Sequence, residues 1–223
     1  MKVVGLIPFW MNKGKDRDMV KLSGKYLIEY TIELLNRSQL IEETIIYASN
    51  QEFENYLDES LDFSFLKRPL SLDTSTTRLE EIVEEFFKER EDVDIIVLVH
   101  PYCPFIKIKT IDECINAVKS TDYDSSLTSM QIKKLSWYKG EPLNFEKNEL
   151  SPKLKNIEPI IIEHGLTYVI KKDTFKKTKS RIGLNPYFKY INQFEGYEID
   201  NNDDLLLAEL IVNSGFHRGA IND

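Results

Sequence analysis

The 223-residue chain predicts an α/β protein with a three-layer, Rossmann-like architecture: a mostly parallel central sheet covered by helices. Three observations lead there. Short apolar runs rich in β-branched residues alternate with amphipathic stretches of about ten residues, the pattern of repeated strand–helix units. One of those runs, Asp94–Val99 with Ile95-Ile96-Val97-Leu98 at its centre, is continuously apolar, as a strand buried on both faces must be. Two of the runs also lead directly into loops of chemically active residues, and doubly wound sheets place their sites beyond the carboxyl ends of their strands.

In chain order, Val3–Pro8 is a buried strand stopped by its proline. A basic loop follows, and Ser23-Gly24 marks a turn. From Tyr26 to Asn36, Leu27, Ile28, Thr31, Leu34 and Leu35 fall on one helical face. Glu43–Ala48 is β-branched and aromatic, a second strand, with Ser49-Asn50 as a polar cap for a weaker helix over Gln51–Leu61. Arg78–Glu91 is the clearest helix, with Leu79, Ile82, Val83, Phe86 and Phe87 at helical spacing and acids on the other face. The central strand Asp94–Val99 comes next, then a helix defined by Ile111, Cys114, Ile115 and Val118, then a strand near Ser125–Met130. Pattern dissolves after Gln131, and residues 131–165 read as a loop-rich flap within a single domain spanning 1–223. Within it and beyond, Ile160-Ile161-Ile162 and Leu166–Ile170 flank Glu163-His164-Gly165, a short helix lies near Asp173–Lys177, Gly196–Ile199 reads as the last strand and Asp203–Asn213 as the last helix.

Composition narrows the function classes. A formal net charge of −8 argues against broad binding to nucleic acid or anionic membrane, both of which need basic surfaces. Two cysteines, Cys103 and Cys114, are too few for a disulfide framework and suit a reducing compartment. The apolar run after Met1-Lys2 has six residues, too short for a secretory core or a membrane span, so a cytoplasmic protein is expected.

Four places carry chemistry. In the first loop Lys13, Lys15, Arg17 and Lys21 with Gly14 can neutralise a phosphate chain, or form a solvated charged turn. The spacing is neither a Walker loop nor a dinucleotide fingerprint. In the second, Arg68-Pro69 with Leu72 and Asp73 precedes a run of hydroxyls that can cap the following helix or contact a base or sugar. The third is His100-Pro101-Tyr102-Cys103-Pro104 at the end of the central strand, where His100 can both donate to and accept from a pyrimidine edge. Three histidines without carboxylates at ligand spacing make a zinc site improbable. The fourth is Glu198-Ile199-Asp200: carboxylates at i, i+2 of an extended run face one side and can reach one Mg²⁺, or belong to an acidic turn in which Asp203 or Asp204 caps the last helix.

The order and spacing of these pieces resemble the CMP-sialic acid synthetases (acylneuraminate cytidylyltransferases) from Ile7 to about Glu209. Ile7-Pro8 is similar to the Ile-Pro that opens the family's first motif, Lys13-Gly14 to its Lys-Gly, and Arg17-Asp18 takes the place of its Lys-Asn. Leu22-Ser23-Gly24-Lys25 through Ile32 is similar to the family's Gly-Lys-Pro-Leu-Ile segment, and Ser49-Asn50 stands for its Ser/Thr-Asp. Arg68-Pro69, Leu72 and Asp73 match its Arg-Pro…Leu-Ala…Asp motif, and Glu163–Val169 resembles its Asn-Gly-Ala-Ile-Tyr-Ile. Glu198-Ile199-Asp200 with Asp204, Ala208 and Glu209 echoes its terminal Asp-Ile-Asp…Asp-Leu…Ala-Glu signature. There are departures: Phe9-Trp10 stand where the family carries an arginine, and His100–Ile106 replaces Gln-Pro-Thr-Ser-Pro-Leu-Arg while keeping both prolines. His164 replaces an asparagine, and Glu198 an aspartate.

The resemblance implies a nucleotidyltransferase that moves CMP from CTP to an acidic, sialic acid-like sugar and releases pyrophosphate. It implies phosphate contacts, and hence the catalytic role, for Lys13 and Arg17, and a nucleotide site of Asn12, Lys13, Gly14, Arg17, Arg68, Asp73, His100 and Pro101. Tyr102 and His164 would meet the acceptor, Glu198 and Asp200 would hold Mg²⁺, and the 131–165 flap would form a homodimer interface. Two other readings stay open: a relative using a different acceptor, and a catalytically silent binding or assembly subunit that keeps the fold.

Overall fold

The computed structural model describes residues 1–10, 19–147 and 152–215. The first half of the chain contains β1 (Val3–Pro8), a small hairpin of β2 (Lys21–Leu22) and β3 (Lys25–Tyr26), α1 (Leu27–Asn36), β4 (Glu43–Ala48), β5 (Ser64–Lys67), α2 (Leu79–Glu89) and β6 (Ile95–Val99). The second contains α3 (Ile108–Ser120), β7 (Ser125–Ile132), the hairpin β8 (Trp137–Tyr138) and β9 (Glu141–Pro142), β10 (Ile160–Lys171), α4 (Lys172–Thr178), β11 (Pro186–Tyr190) and α5 (Asn202–Asn213).

Seven strands form one sheet in the order β11-β7-β10-β6-β1-β4-β5. Neighbours are parallel except that β10 runs antiparallel to both β6 and β7. The exception follows from the flap: a chain that leaves along β7 and returns without a crossover comes back antiparallel. From β1 the chain moves outward through β4 to β5, then crosses to the other side of β1 to lay down β6. The switch point therefore lies between the carboxyl ends of β1 and β6, where a doubly wound sheet opens a crevice.

Strand periodicity divides the core into two layers. Val3 and Ile7 of β1 with Val97 and Val99 of β6 face α1 and α3, packing on Ile28, Ile32, Leu35, Ile111, Ile115 and Val118. Val4 and Leu6 with Ile96 and Leu98 face α2 and α4, packing on Ile82, Val83, Phe86 and Phe175. Every residue of β1 and β6 is buried, as the continuous apolar run required. A third cluster of Leu22, Leu27, Phe105, Ile199 and Ala208 lies beyond the sheet and joins the β2–β3 hairpin to α5. Glu209 of α5 reinforces that join by accepting from the Ser23 backbone N–H at 2.5 Å and its hydroxyl at 2.9 Å.

The structure departs from the sequence expectations in four places. The helix expected over Gln51–Leu61 is one 3₁₀ turn, Glu52–Tyr56, because only Phe53 and Leu57 of the segment are buried, with Leu61 packing partly exposed beside them. Gly196–Ile199 is not a strand, and the last strand is instead β11, whose residues are all partly exposed except the exposed Tyr190, so they show no clean alternation. Pro186 opens that strand, a position where a missing N–H is tolerated. The two apolar runs around Glu163-His164-Gly165 are one strand, β10, with a shift of register between Glu163 and Tyr168. Gly165 takes a φ of +81° there, which the irregularity needs and an L side chain resists. Finally, α5 is capped by Asn201, which accepts from the N–H groups of Asp203 and Asp204, while Asp204 completes the capping box.

Phe86 is fully buried with its ring edge-on to Tyr47 at 5.6 Å. Phe86→Ala is expected to lower stability by about 3–5 kcal/mol in urea denaturation.

Candidate functional site

The motifs among the described residues converge on one edge of the sheet. The loops after β1, β4, β5 and β6 all leave from carboxyl ends. The antiparallel β10 reaches the same edge with its first half, since Thr167 pairs with Val99 and the residues before it extend beyond β6. His100 donates its backbone N–H to Leu166 O at 3.0 Å, fastening the histidine loop to the Glu163-His164-Gly165 irregularity.

After β1, Phe9 turns inward and packs on Phe53 with ring centroids 4.9 Å apart. Trp10 lies over Arg68, whose Cζ is 4.4 Å from the ring centroid. The pair that looked out of place in a phosphate loop thus serves the core and the loop's base. Asn12, Lys13, Gly14 and Arg17 lie outside the described residues.

Arg68 does not line the site with its guanidinium, as the sequence suggested. It is 0% exposed, and its Nη atoms donate to Tyr47 O at 3.2 Å, Phe9 O at 3.1 Å and Asp73 Oδ1 at 2.5 Å. Ser49 Oγ donates to the other oxygen of Asp73. A buried cation needs such partners, because desolvation alone costs several kcal/mol. The result is a strap that joins the ends of β1, β4 and β5 beneath the crevice.

After β6, Pro101 is buried and the rings of His100 and Tyr102 are nearly parallel, 6° apart in orientation with centroids at 6.0 Å. Tyr102 O accepts from Ile199 N at 2.9 Å, which brings the acidic segment to this loop. Ile199 is buried, Glu198 partly buried and Asp200 exposed, so the apolar residue anchors the segment between the two acids. Burial, and then the charges of Glu198 and Glu195, push the Cys103 thiol well above its usual range. Burial alone leads for Cys114, raised to about 12.

His164 meets Gly196 O through Nε2, so this ring nitrogen carries the proton. A Cβ at Gly196 would stand 2.7 Å from that nitrogen, which is why glycine occupies the position. His164 therefore ties β10 to the acidic segment.

Among the described residues no cluster of three His, Cys, Asp or Glu side chains could hold a metal ion. Magnesium needs less: it binds through one or two carboxylates and completes its shell with phosphates and water. Glu198 and Asp200, two carboxylates on either side of the buried Ile199, are a donor set of that chemical kind.

One residue escaped the sequence reading. Glu195 is buried to 6% exposure, with a carboxylate that accepts from Thr110 Oγ1 and from Lys107 N at 3.3 Å. Its signal was a lone charge inside the aromatic run Phe194-Glu195-Gly196-Tyr197.

Two outcomes are expected from this geometry. Arg68→Ala leaves Asp73 without its buried partner and should cost about 3–5 kcal/mol in denaturant unfolding. Cys103 and Cys114, buried and with raised thiols, should resist iodoacetamide at pH 8 in the native protein and react fully once it is unfolded.

Known proteins share the sequence pattern and the fold. Against curated proteins, the chain is 23% identical over 216 residues to N-acylneuraminate cytidylyltransferase of Streptococcus agalactiae serotype III (strain NEM316), covering 92% of this chain and 52% of that protein. It is 21% identical over 185 residues to 3-deoxy-manno-octulosonate cytidylyltransferase of Chlamydia pneumoniae, covering 76% and 71%. The chain thus spans about half the length of the first of these relatives. In structure it is similar to CMP:2-keto-3-deoxy-manno-octonic acid synthetase complexed with CTP, with a TM-score of 0.72 at 11% identity over 96% of this chain and 99% of that one. It is also similar to 4-diphosphocytidyl-2C-methyl-D-erythritol synthase from Anaerococcus prevotii DSM 20548, with a TM-score of 0.64 at 12% identity over 95% and 98%. These likenesses show the nucleotidyltransferase fold. The family profile described as Cytidylyltransferase matches residues 14–202, and the chain belongs to that family.

Proposed function

We propose that the protein transfers CMP from CTP to an acidic sugar of the sialic or ulosonic acid type and releases pyrophosphate. The observation that carries this reading is the convergence of the Arg68, His100 and Glu198 motifs with the end of β1 on the switch-point edge, in a chain of the cytidylyltransferase family. The acceptor class is supported by the relatives, which are named for N-acylneuraminate and for 3-deoxy-manno-octulosonate.

In this reading the acceptor hydroxyl forms a bond to the α-phosphorus of CTP while the bond from that phosphorus to the bridging oxygen breaks, and the hydroxyl proton is lost. Such a step depends on alignment and charge neutralisation more than on covalent work by the protein. Lys13 and Arg17, with Asn12 and Gly14, are assigned to the phosphates. His100 and Pro101 hold the base, and Asp73 acts with Arg68 from below, setting the shape of the nucleotide crevice through the strap. Tyr102 and His164 are assigned to the acceptor side. Glu198 and Asp200 would hold Mg²⁺, which supplies charge neutralisation at the phosphates when bound.

The homodimer belongs to the same reading. Trp137, Tyr138, Leu143, Leu154, Ile161 and Ile162 expose large apolar side chains within the 131–165 flap, more than a solvated excursion of that size needs. No helix among the described residues is long and apolar enough to cross a membrane, which is compatible with a cytoplasmic enzyme.

The test is CTP with Mg²⁺ and a panel including N-acylneuraminate and 3-deoxy-manno-octulosonate, followed by pyrophosphate release. Product is expected with an acidic sugar, and Asp200→Asn should reduce it by at least about a hundredfold without lowering the melting temperature. Absence of product with every acceptor, together with no heat of CTP binding, would sink the reading.

A further inference from the structure

The segment from Asn192 to Asp200 carries the acidic pair yet belongs to no strand. A sheet ladder does not set its course, so its shape must come from its neighbours. Those contacts are specific. Gly196 O meets His164 of β10, Ile199 N donates to Tyr102 O at 2.9 Å, and Phe194 stacks on Phe105 with centroids 4.9 Å apart.

Glu195 makes the remaining contacts. Its carboxylate reaches the start of α3, where Lys107 is the N-cap residue and provides no side-chain cap of its own. The carboxylate accepts from Lys107 N at 3.3 Å and from the Thr110 hydroxyl. A helix of this length begins with unsatisfied N–H groups and a partial positive charge, and here a carboxylate distant in sequence answers both. From its backbone, Glu195 N donates to Asn192 Oδ1 at 2.8 Å, and Glu195 O accepts from the Cys103 thiol at 3.3 Å. One residue therefore locks the acidic segment to α3 through its carboxylate and to the histidine loop through its backbone carbonyl, three residues before Glu198.

We propose that Glu195 is a positioning residue, whose buried carboxylate fixes the 192–200 segment on the start of α3 so that Glu198 and Asp200 are held against the histidine loop to receive a divalent cation. The inference rests on the cytidylyltransferase reading and deepens its account of the metal site. Acceptor geometry at the Thr110 hydroxyl and Lys107 N–H is what matters in it, so glutamine can replace glutamate and alanine cannot.

The experiment titrates Mn²⁺ into the CTP-bound protein by calorimetry with no acceptor present, alongside CTP binding in EDTA and a melting curve. Glu195→Ala is expected to weaken Mn²⁺ binding about 10- to 100-fold and to leave CTP affinity in EDTA unchanged. Glu195→Gln should return Mn²⁺ binding to within a few-fold of the parent protein. Thr110→Val, which removes one donor and keeps the carboxylate, should weaken Mn²⁺ in the same direction, and it carries the test if the alanine variant does not fold. A variant that melts lower but takes up Mn²⁺ as the parent does would overturn the inference, because the contact would then be structural only. If the parent binds CTP and releases pyrophosphate while the variants match its metal affinity, this inference alone fails. If the parent does neither, the cytidylyltransferase reading fails and this inference with it.

Discussion

Arg68 donates to the carbonyl of Phe9 just past β1, to the carbonyl of Tyr47 in β4 and to Asp73 beyond β5, with Trp10 over its face. One guanidinium thus ties three neighbouring strand ends on the side of the switch point away from β6. A cation fully removed from water needs partners for its donors and cover for its plane. Here an aspartate and two carbonyls meet the Nη groups and an indole lies over the face, while Nε is left without a hydrogen-bond partner among the described residues. The strap constrains where the chain can go when it leaves β1, and so where any phosphate-binding residues that follow must start.

On the other side of the switch point the constraint is different in kind. The acidic segment has no ladder of its own and is held by a histidine, a thiol, a buried glutamate and the cap of α5. Strand ends are rigid because their hydrogen bonds are shared with neighbours along a sheet, whereas this segment relies on side-chain contacts and on isolated backbone bonds such as Ile199 N to Tyr102 O. The site is therefore built from one half set by the sheet and one half set by side chains.

Most of the fold was legible in the linear pattern. Val3–Pro8, Glu43–Ala48 and Ile95–Val99 declared themselves because strands buried on both faces cannot accommodate polar interruptions. The helices at Leu27–Asn36, Leu79–Glu89 and Ile108–Ser120 did so because each buries one stripe against that sheet. β11 stayed hidden because an edge strand with half-buried aromatics lacks that demand, and Gly196–Ile199 imitated a strand because Ile199 is buried by α5 and Phe105 instead of by a ladder. The excursion, read as pattern-free, proved to be a paired stem of β7 and β10 with a small hairpin at its end.

The residue types and their order were enough to indicate the family, since Ile-Pro, Arg-Pro, the two prolines around Tyr102 and the spaced acids are local features of the chain. What each side chain does was decided only in three dimensions. Arg68 looks like a site residue in sequence and is fully buried in space, while Glu195 looks incidental and sits at a junction of α3, the histidine loop and the acidic segment. The physical reason is that periodicity reports which face of an element is apolar, a property of neighbouring residues. Which polar groups are desolvated, and against what, depends on partners 59 or 85 positions away that only the folded chain brings within hydrogen-bond reach.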